Sequence, residues 1–559
     1  MKQSPHNPES PASAPGLKGI IRRLPLLIGE AFKGKAAGIA ESSRLREDRI
    51  PLGWNEASAR TVAAEIEDLL RGGPAARTAR ENEWSEADRA LAEEISLATS
   101  RAGSSNITRT EAYLACYQAY PELHWAFLAH MVSRNAGWNM TDLRGRVADL
   151  MDETEKRAYY RFLERSNALI FQDAYPQLLL YIKSRELGSS RFHLLSYFHV
   201  SGFMRPFWER FWIDRGSALL TVGLIINEQN YIEKRVIRHP YYQRHITDKV
   251  PFHLQSLAGL NQVVFPLLEP VAECEAAEAR CEAEQAEQIV AAGTEKELGE
   301  NTAESENRNG QAEMTIGEKA VSDAGEAAKA GDNGGSAPPA GQGAPRHSAR
   351  EELKSYDNDE QFFSHRDGQP GSGAGGLREQ SAHEESGLGP HLDEGGRVKY
   401  GVRRLAGRVV SDFGSLPDRI ALGKSLYAML MGLRAVRSGA ERFAASVPHS
   451  GSRADYWPEL FTANSKEALT SPVQGSELLE GETLPPGKRL YSPKLLDAWG
   501  DTPYEPISRE DWLKGHSALD GISAPQPPYL CDISREHRGG IIKTALVRDA
   551  AGDANHGQT

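Results

Sequence analysis

The segment PELHWAFLAHMVSRNAGWNMTDL, residues 121–143, indicates the fold class more clearly than any other stretch of the chain. Its apolar residues, from Trp125 to Val132, recur at the spacing of one helical face. The segment predicts a helix that ends before a turn at residues 137–139, where Gly137 is the turn signal. A second helix is predicted to begin near Thr141, a residue type that caps helices well.

Helical patterns of the same kind fill the chain on both sides of this segment. The longest predict helices at Glu153–Glu186, Arg205–Lys234 and Phe252–Leu268, and Ser415–Leu433 predicts another one later in the chain. The alternation of polar and apolar residues that is typical of strands is nearly absent. The sequence therefore predicts an all-α fold.

An acidic, low-complexity segment interrupts this pattern between residues 271 and 396. It contains 27 Asp and Glu residues against 10 Lys and Arg residues, a net charge of −17, whereas the whole 559-residue chain carries −12. The remaining residues therefore carry a net charge of +5, so the acidity is local. The segment has too few apolar residues to offset the entropy lost on ordering, and it predicts disorder.

Together these patterns predict one multi-helical globular domain that is interrupted by a long disordered acidic insertion. Because the cost of closing a loop grows only with the logarithm of its length, an insertion of this size is tolerable. The predicted sections are a disordered tail (1–15), a basic amphipathic helix (17–40), the first part of the domain (41–270), the insertion (271–396), the second part of the same domain (397–538) and a second disordered tail (539–559).

The segment Leu17–Lys35 has an apolar helical face with Lys and Arg on its other side, although Pro25 would kink a helix there. One interpretation is a peripheral contact with an anionic membrane, and the favoured one is packing against the protein's own core. No apolar run reaches the roughly 18 residues of a membrane span, and no secretion signal is recognisable. Four scattered cysteines fit a reducing compartment, so a cytoplasmic location is expected.

Two pairs of sequence blocks resemble a known family. The first pair is NITRT, residues 106–110, with the segment 121–143 quoted above, and the second is DRIALGKSLYAML, residues 418–430, with PHSGSRADYWPELF, residues 448–461. Together they resemble an uncharacterised family of proteins from Bacillus-like, spore-forming bacteria that is defined as a domain of unknown function. The resemblance covers roughly residues 100–270 and 398–500 and implies that both blocks belong to one domain. It also implies that relatives join them by a shorter, less acidic segment.

The best candidate for a functional surface is the segment 121–143. One interpretation is a polar pocket in which His130 acts as acid or base, oriented by the carboxylate of Glu122 or Asp142. Arg109 or Arg134 would then hold an anionic group, with Asn135 beside them. The favoured interpretation is a buried polar network that fixes how the helices pack without performing chemistry. The catalytic candidates are His130, Arg134, Asp142 and His449, and the binding candidates are Arg109, Glu122, Asn135, Arg453 and Asp455.

A second polar cluster contains His449, Arg453 and Asp455, in a predicted loop. Since the two blocks belong to one predicted domain, we expect this cluster to face the residues of segment 121–143. Pairs of histidines six residues apart, such as His124 and His130, point about 120° away from each other on a helix. That spacing argues against a metal site on one helix, and no cofactor motif is recognisable.

Two classes of function follow from these features. The first is a non-enzymatic interaction or scaffold protein of the bacterial cytoplasm. The second is an enzyme of unknown reaction that acts on an anionic substrate in a pocket lined by His, Arg and Asp. The net charge of +5 outside the insertion is too small for a nucleic-acid footprint, and no reader motif is present, which argues against nucleic-acid binding.

Overall fold

A computed structural model describes ten ranges of the chain: 38–72, 84–145, 147–148, 151–247, 262–268, 402–409, 413–458, 460–468, 489–500 and 510–541. The predicted tail 1–15, the basic segment Leu17–Lys35 and the acidic insertion 271–396 lie outside these residues. All described residues belong to one compact unit.

The all-α class is confirmed, because the described residues are 67% helical and only 7% in strands. Helices α2, α3 and α5 begin with a capping box, in which a cap side chain and a side chain three residues later satisfy each other's backbone N–H groups. The main helices are α1 (Glu56–Arg71), α2 (Glu86–Ala102), α3 (Asn106–Ala119), α4 (His124–Asp142), α5 (Glu153–Leu187), α6 (Met204–Asp214), α7 (Ser217–Ile232), α8 (Leu416–Gly432) and α9 (Arg434–Ser446).

Shorter elements fill the connections between these helices. They are 3-10 helices at Phe192–Phe198, Arg453–Asp455 and His516–Gly521, π-helical turns at Glu233–Ile237 and Gln243–Thr247, the helical turn Pro240–Tyr242, helix α10 (Leu495–Ala498), and strands β1 (Gln262–Leu268), β2 (Val402–Val409), β3 (Phe461–Thr462) and β4 (Leu490–Tyr491). Residues 38–45 and 534–541 are also helical, so the second of these helices reaches three residues into the predicted tail 539–559.

The predicted turn at residues 137–139 is wrong, because α4 continues from His124 to Asp142. A Cβ atom on Gly137 would lie 2.7 Å from His449 Nε2 and 2.8 Å from Asn106 Oδ1. The glycine therefore allows other side chains to approach the helix closely, and it does not make a turn. The predicted helix Arg205–Lys234 is also divided, into α6 and α7, where Arg215 has a φ of 56°.

The predicted helix Phe252–Leu268 is wrong over its last seven residues, which form β1. β1 pairs with β2 in an antiparallel ladder that runs from Gln262 opposite Val409 to Leu268 opposite Val402. The two ends of the intervening 133 residues are therefore held side by side at the end of this ladder.

Further contacts hold this pair of strands on both sides. The Asn135 side chain of α4 donates to Val264 O (2.6 Å) and accepts from Val264 N (2.8 Å), as a neighbouring strand would. On the far edge of β2, Gly407 N donates to Cys531 O and Ile533 N donates to Leu405 O. The two strands thus connect both halves of the chain to residues 531–533.

The main hydrophobic core contains buried side chains from α1 to α9, β1, β2 and the C-terminal segment. Its largest buried rings include Trp125, Trp138, Trp208 and Tyr427. Among the described residues, no helix combines the length and the apolar character needed to cross a membrane.

Candidate functional site

Helix α4 and the segment that follows α9 are in direct contact, as the sequence led us to expect. Arg134 Nη2 donates to Val447 O (2.7 Å) and to Pro448 O (3.2 Å). Seven residues further along α4, Thr141 Oγ1 donates to Gly451 O (2.7 Å). The predicted site residues on the two blocks therefore lie together, although more than 300 residues separate them in the chain.

An ion pair between Asp142 and Arg453 forms one end of this contact. Arg453 Nε lies 2.8 Å from Asp142 Oδ1 and Nη2 lies 2.7 Å from Oδ2, the two-bond geometry that suits a guanidinium and a carboxylate. Burial alone would lower the pKa of Arg453, but the Asp142 carboxylate holds it well above its usual range. Both side chains stay charged inside the protein because each neutralises the other.

A chain of hydrogen bonds extends from this ion pair through the core. Arg453 Nη1 donates to Tyr456 Oη (2.6 Å), which lies 2.8 Å from His537 Nε2. The other imidazole nitrogen, Nδ1, lies 2.7 Å from Gln262 Oε1. Since the amide oxygen can only accept, His537 donates through Nδ1 and accepts the tyrosine proton at Nε2. These hydrogen bonds link residues 448–461 to β1 and to the helix at residues 534–541.

His449 is fixed by neighbours from α3 and from its own loop. Asn106 Nδ2 donates to Ser133, which leaves Asn106 Oδ1 to accept from His449 Nε2 at 2.9 Å. On the other side of the ring, His449 Nδ1 lies 3.7 Å from Asp455 Oδ2. Burial lowers the pKa of His449, and the nearby Asp455 carboxylate partly opposes this shift.

The arrangement of His449 and its neighbours does not form a nucleophilic triad. The Ser450 hydroxyl donates to Asp455 Oδ1, and the backbone N–H of Ser450 donates to Asp455 Oδ2 (2.9 Å). A serine nucleophile has to deliver its proton to an imidazole, whereas this hydroxyl is directed to the carboxylate. Burial opposes ionisation of Asp455, but His449, Arg134 and Ser450 keep its pKa below the usual value.

His130 is held away from the carboxylates that were predicted to orient it. His130 Nδ1 lies 2.8 Å from Thr110 O and therefore carries the proton. Burial, with Arg134 nearby, lowers the pKa of His130 well below its usual value. Asp142 is engaged by Arg453, while Glu122 accepts from Tyr181 Oη (2.7 Å) and Arg185 Nη1 (3.0 Å). Neither carboxylate therefore orients His130.

The two arginines proposed to hold an anion bond to groups of the protein itself. Arg109 forms a buried ion pair with Glu164 and donates to Gly103 O (2.9 Å). Arg134 lies over the Phe443 ring, 4.5 Å from its centroid, in addition to its bonds to backbone carbonyls. Burial lowers the pKa of Arg134 to about 10, and Asp455 partly opposes this effect.

Burial is the property that these residues share. Glu122, with a side chain that is 27% exposed, and Asp455, at 9%, are the most accessible of the nine predicted site residues. The other seven are less than one-tenth exposed: Arg109, His130, Arg134, Asn135, Asp142, His449 and Arg453. Sequence reasoning missed Glu164, Tyr456 and His537. Tyr456 lies in the block 448–461, but no local motif marks Glu164 or His537. Within the described ranges, no three His, Cys, Asp or Glu side chains come together to hold a metal ion.

Comparison with known proteins confirms the resemblance seen in the sequence blocks. A family model described as "Protein of unknown function (DUF2515)" matches residues 102–293 and 391–530. The "Uncharacterized protein YppC" of Bacillus subtilis (strain 168) is 45% identical over 182 residues, which are 32% of this chain and 57% of that protein. The chain thus spans a little over half the length of this relative. No solved structure matches the chain.

Proposed function

Because the chain belongs to the family of proteins of unknown function DUF2515, we propose from its geometry that it is a non-enzymatic interaction or scaffold protein of the bacterial cytoplasm. In this proposal the His, Arg and Asp residues of the two blocks are a structural network that joins both halves of the domain. Two cysteines of the described residues, Cys116 and Cys531, are buried and free, which supports a reducing compartment.

The observation that carries this proposal is the burial of every catalytic candidate. His130, Arg134, Asp142 and His449 are at most 6% exposed. A catalytic acid or base must reach the proton that it transfers within hydrogen-bonding distance, directly or through one water molecule. These four side chains instead bond to groups from other parts of the same chain. They support a role in holding the fold together.

One observation favours the second candidate function, an enzyme that acts on an anionic substrate. Within the described residues, His130 Nε2 and Arg134 Nε have no hydrogen-bond partner although both are buried. Buried polar atoms usually have partners, so two unsatisfied atoms one helical turn apart call for an explanation. A substrate that entered between α4 and α9 would provide hydrogen-bond partners for both atoms. Its entry would require the contact around Val447 to open.

The two candidates are separated by one experiment with two readouts. The purified protein and a His130→Gln variant are incubated with the metabolite extract of the host, and the products are measured by mass spectrometry. In parallel, the complexes of both proteins are cross-linked in host cells and their stoichiometry is measured. We expect no metabolite change with either protein and the same stoichiometric complexes with both.

A matched control is His193→Gln, because His193 is a partly exposed histidine outside the site. An anionic metabolite that changes with the native protein and His193→Gln, but not with a folded His130→Gln variant, would overturn the interaction proposal. The absence of any stoichiometric complex in cells would count against it independently.

A further inference from the structure

A second buried polar cluster lies between α5 and α7, outside the two blocks. Asp173 is 2% exposed, and its Oδ2 atom accepts from Asn227 Nδ2 (2.5 Å) and from Gln177 Nε2 (3.0 Å). Its other oxygen, Oδ1, has no hydrogen-bond partner among the described residues. A proton on Oδ1 would therefore leave both existing hydrogen bonds in place.

Three tryptophans direct their indole N–H groups to this cluster. Trp208 donates to Gln177 Oε1 (2.8 Å), and Trp512 donates to Asn227 Oδ1 (2.9 Å). Trp125 donates to the carboxylate of Glu228, the residue next to Asn227 (3.1 Å). The name Asp173 cluster is used below for the side chains of Asp173, Gln177, Asn227, Glu228 and the three tryptophans. Through Trp512 the cluster fastens the C-terminal segment 510–523 to the core.

The charges around the cluster come from several elements. Arg235, from the π-helical turn after α7, attracts the ionised form of Asp173, while Asp511, from the C-terminal segment, repels it. Asp173 in turn disfavours ionisation of Glu228. From α3, Tyr113 is close enough to both carboxyl groups for their charges to disfavour its ionisation, whereas Arg109 favours it.

Burial dominates the ionisation of both acids. It raises the pKa of Asp173 to about 7, although hydrogen bonds from Asn227 and Gln177 oppose the rise. It also raises the pKa of Glu228 to about 8. A buried carboxylate that lacks a paired cation is costly, so the neutral acids are favoured inside the protein.

We propose that Asp173, beside Glu228, forms a proton-binding site in the core, and that occupation of this site by a proton holds the segment 510–523 in place. When Asp173 loses its proton, its carboxylate repels Asp511, which lies on the segment and is the residue next to Trp512. Opening the segment relieves this repulsion and admits water to the charged group. Proton loss therefore shifts the segment towards an open state.

The sign follows from proton linkage. In the open state a solvated aspartate has a pKa near 4, which is below its value in the closed state. The closed state thus binds more protons, so its advantage is largest in acid and falls as the pH rises towards the closed-state pKa. One such group lowers the equilibrium constant for closing the segment by about 10- to 100-fold between about pH 5 and about pH 8.

Hydrogen–deuterium exchange of the full chain tests the proposal. Exchange of the segment 510–523, corrected for the intrinsic pH dependence of amide exchange, should accelerate by about 10- to 100-fold between about pH 5 and about pH 8. In Asp173→Asn it should change by less than about threefold, because the amide keeps an oxygen for Asn227 and Gln177 and cannot ionise. Helix α2 should show no acceleration in either protein.

A second variant covers the case in which Asp173→Asn does not fold. Asp511→Asn removes the repelling charge and should reduce the acceleration, whereas Asp68→Asn, at an exposed position of α1, should leave it unchanged. An undiminished acceleration in Asp173→Asn or in Asp511→Asn would overturn the proposal. So would constant exchange in the native chain, or an acceleration of α2 equal to that of the segment.

Discussion

Removal of the residues between β1 and β2 should stabilise the protein. Leu268 and Val402 are partners in the β1–β2 ladder, and 133 residues connect them. We predict that a connection of about eight residues containing an Asn-Gly turn can replace residues 269–401, because such turns join antiparallel strands directly. The two halves of the domain would then meet across a short hairpin.

The magnitude follows from the entropy of loop closure. Since this cost grows as (3/2)RT ln n, shortening the connection from 133 to about eight residues increases the free energy of unfolding by about 2.5 kcal/mol. A Gly/Ser connection of about 60 residues should give a gain of only about 0.7 kcal/mol. The dependence on length distinguishes loop entropy from the loss of specific contacts.

Urea unfolding measured by tryptophan fluorescence provides the assay, because all nine tryptophans lie outside residues 269–401. The slope of the free energy against urea concentration should stay constant, since it reports the surface that unfolding exposes. A lower free energy of unfolding in the short variant, together with a smaller slope, would refute the reasoning. That result would mean that the removed residues pack against the domain.

Three further predictions concern the core. Gly137→Ala should lower the free energy of unfolding by about 1–3 kcal/mol in thermal unfolding, because its Cβ would meet His449 and Asn106. The control Gly500→Ala, which has open space around it, should have no effect. Arg109→Met should lower the free energy of unfolding by about 3–5 kcal/mol in urea unfolding, because it removes the buried cation that pairs with Glu164. Adding Glu164→Gln should restore part of the loss. Burial raises the pKa of Cys116 to about 12, so this thiol should be alkylated in the native protein only as fast as the protein unfolds. Mass spectrometry measures the alkylation rate, and a faster rate would contradict the burial of Cys116.

The helices were predictable where periodicity and length agreed. The prediction Glu153–Glu186 differs by one residue from α5, and Ser415–Leu433 differs by one residue at each end from α8. The 35 residues of α5 include Pro176 and still form one helix, because packing of its buried face outweighs the lost hydrogen bond.

β1 could not be predicted from its own residues. The sequence QVVFPLL has no alternation, because six of its seven side chains are buried, and a short apolar run of this kind is ambiguous between helix and strand. Its partner strand begins only after 133 intervening residues, and its other neighbour is the side chain of Asn135. None of these contacts is visible in a local window.

The candidate site was predictable in its location, but the sequence left two interpretations of its accessibility open, an open pocket and a buried network. The grouping of polar residues on α4 and around His449 indicated that the two blocks meet, and they do. Whether a polar cluster is buried or open depends on the elements that cover it. Here Asn106 bonds to His449 and Tyr456 bonds to Arg453, two contacts between side chains that no local sequence pattern pairs.

The position of the 133 residues also affects how the chain folds during synthesis. At roughly 5–20 residues per second, a ribosome needs about 7 to 27 s to synthesise them after β1 has left it. During this time Asp142 has been made but Arg453 has not, so this ion pair cannot yet form. The N-terminal half therefore lacks this contact until its partner emerges. A family member with a shorter connection would pass through this stage more quickly.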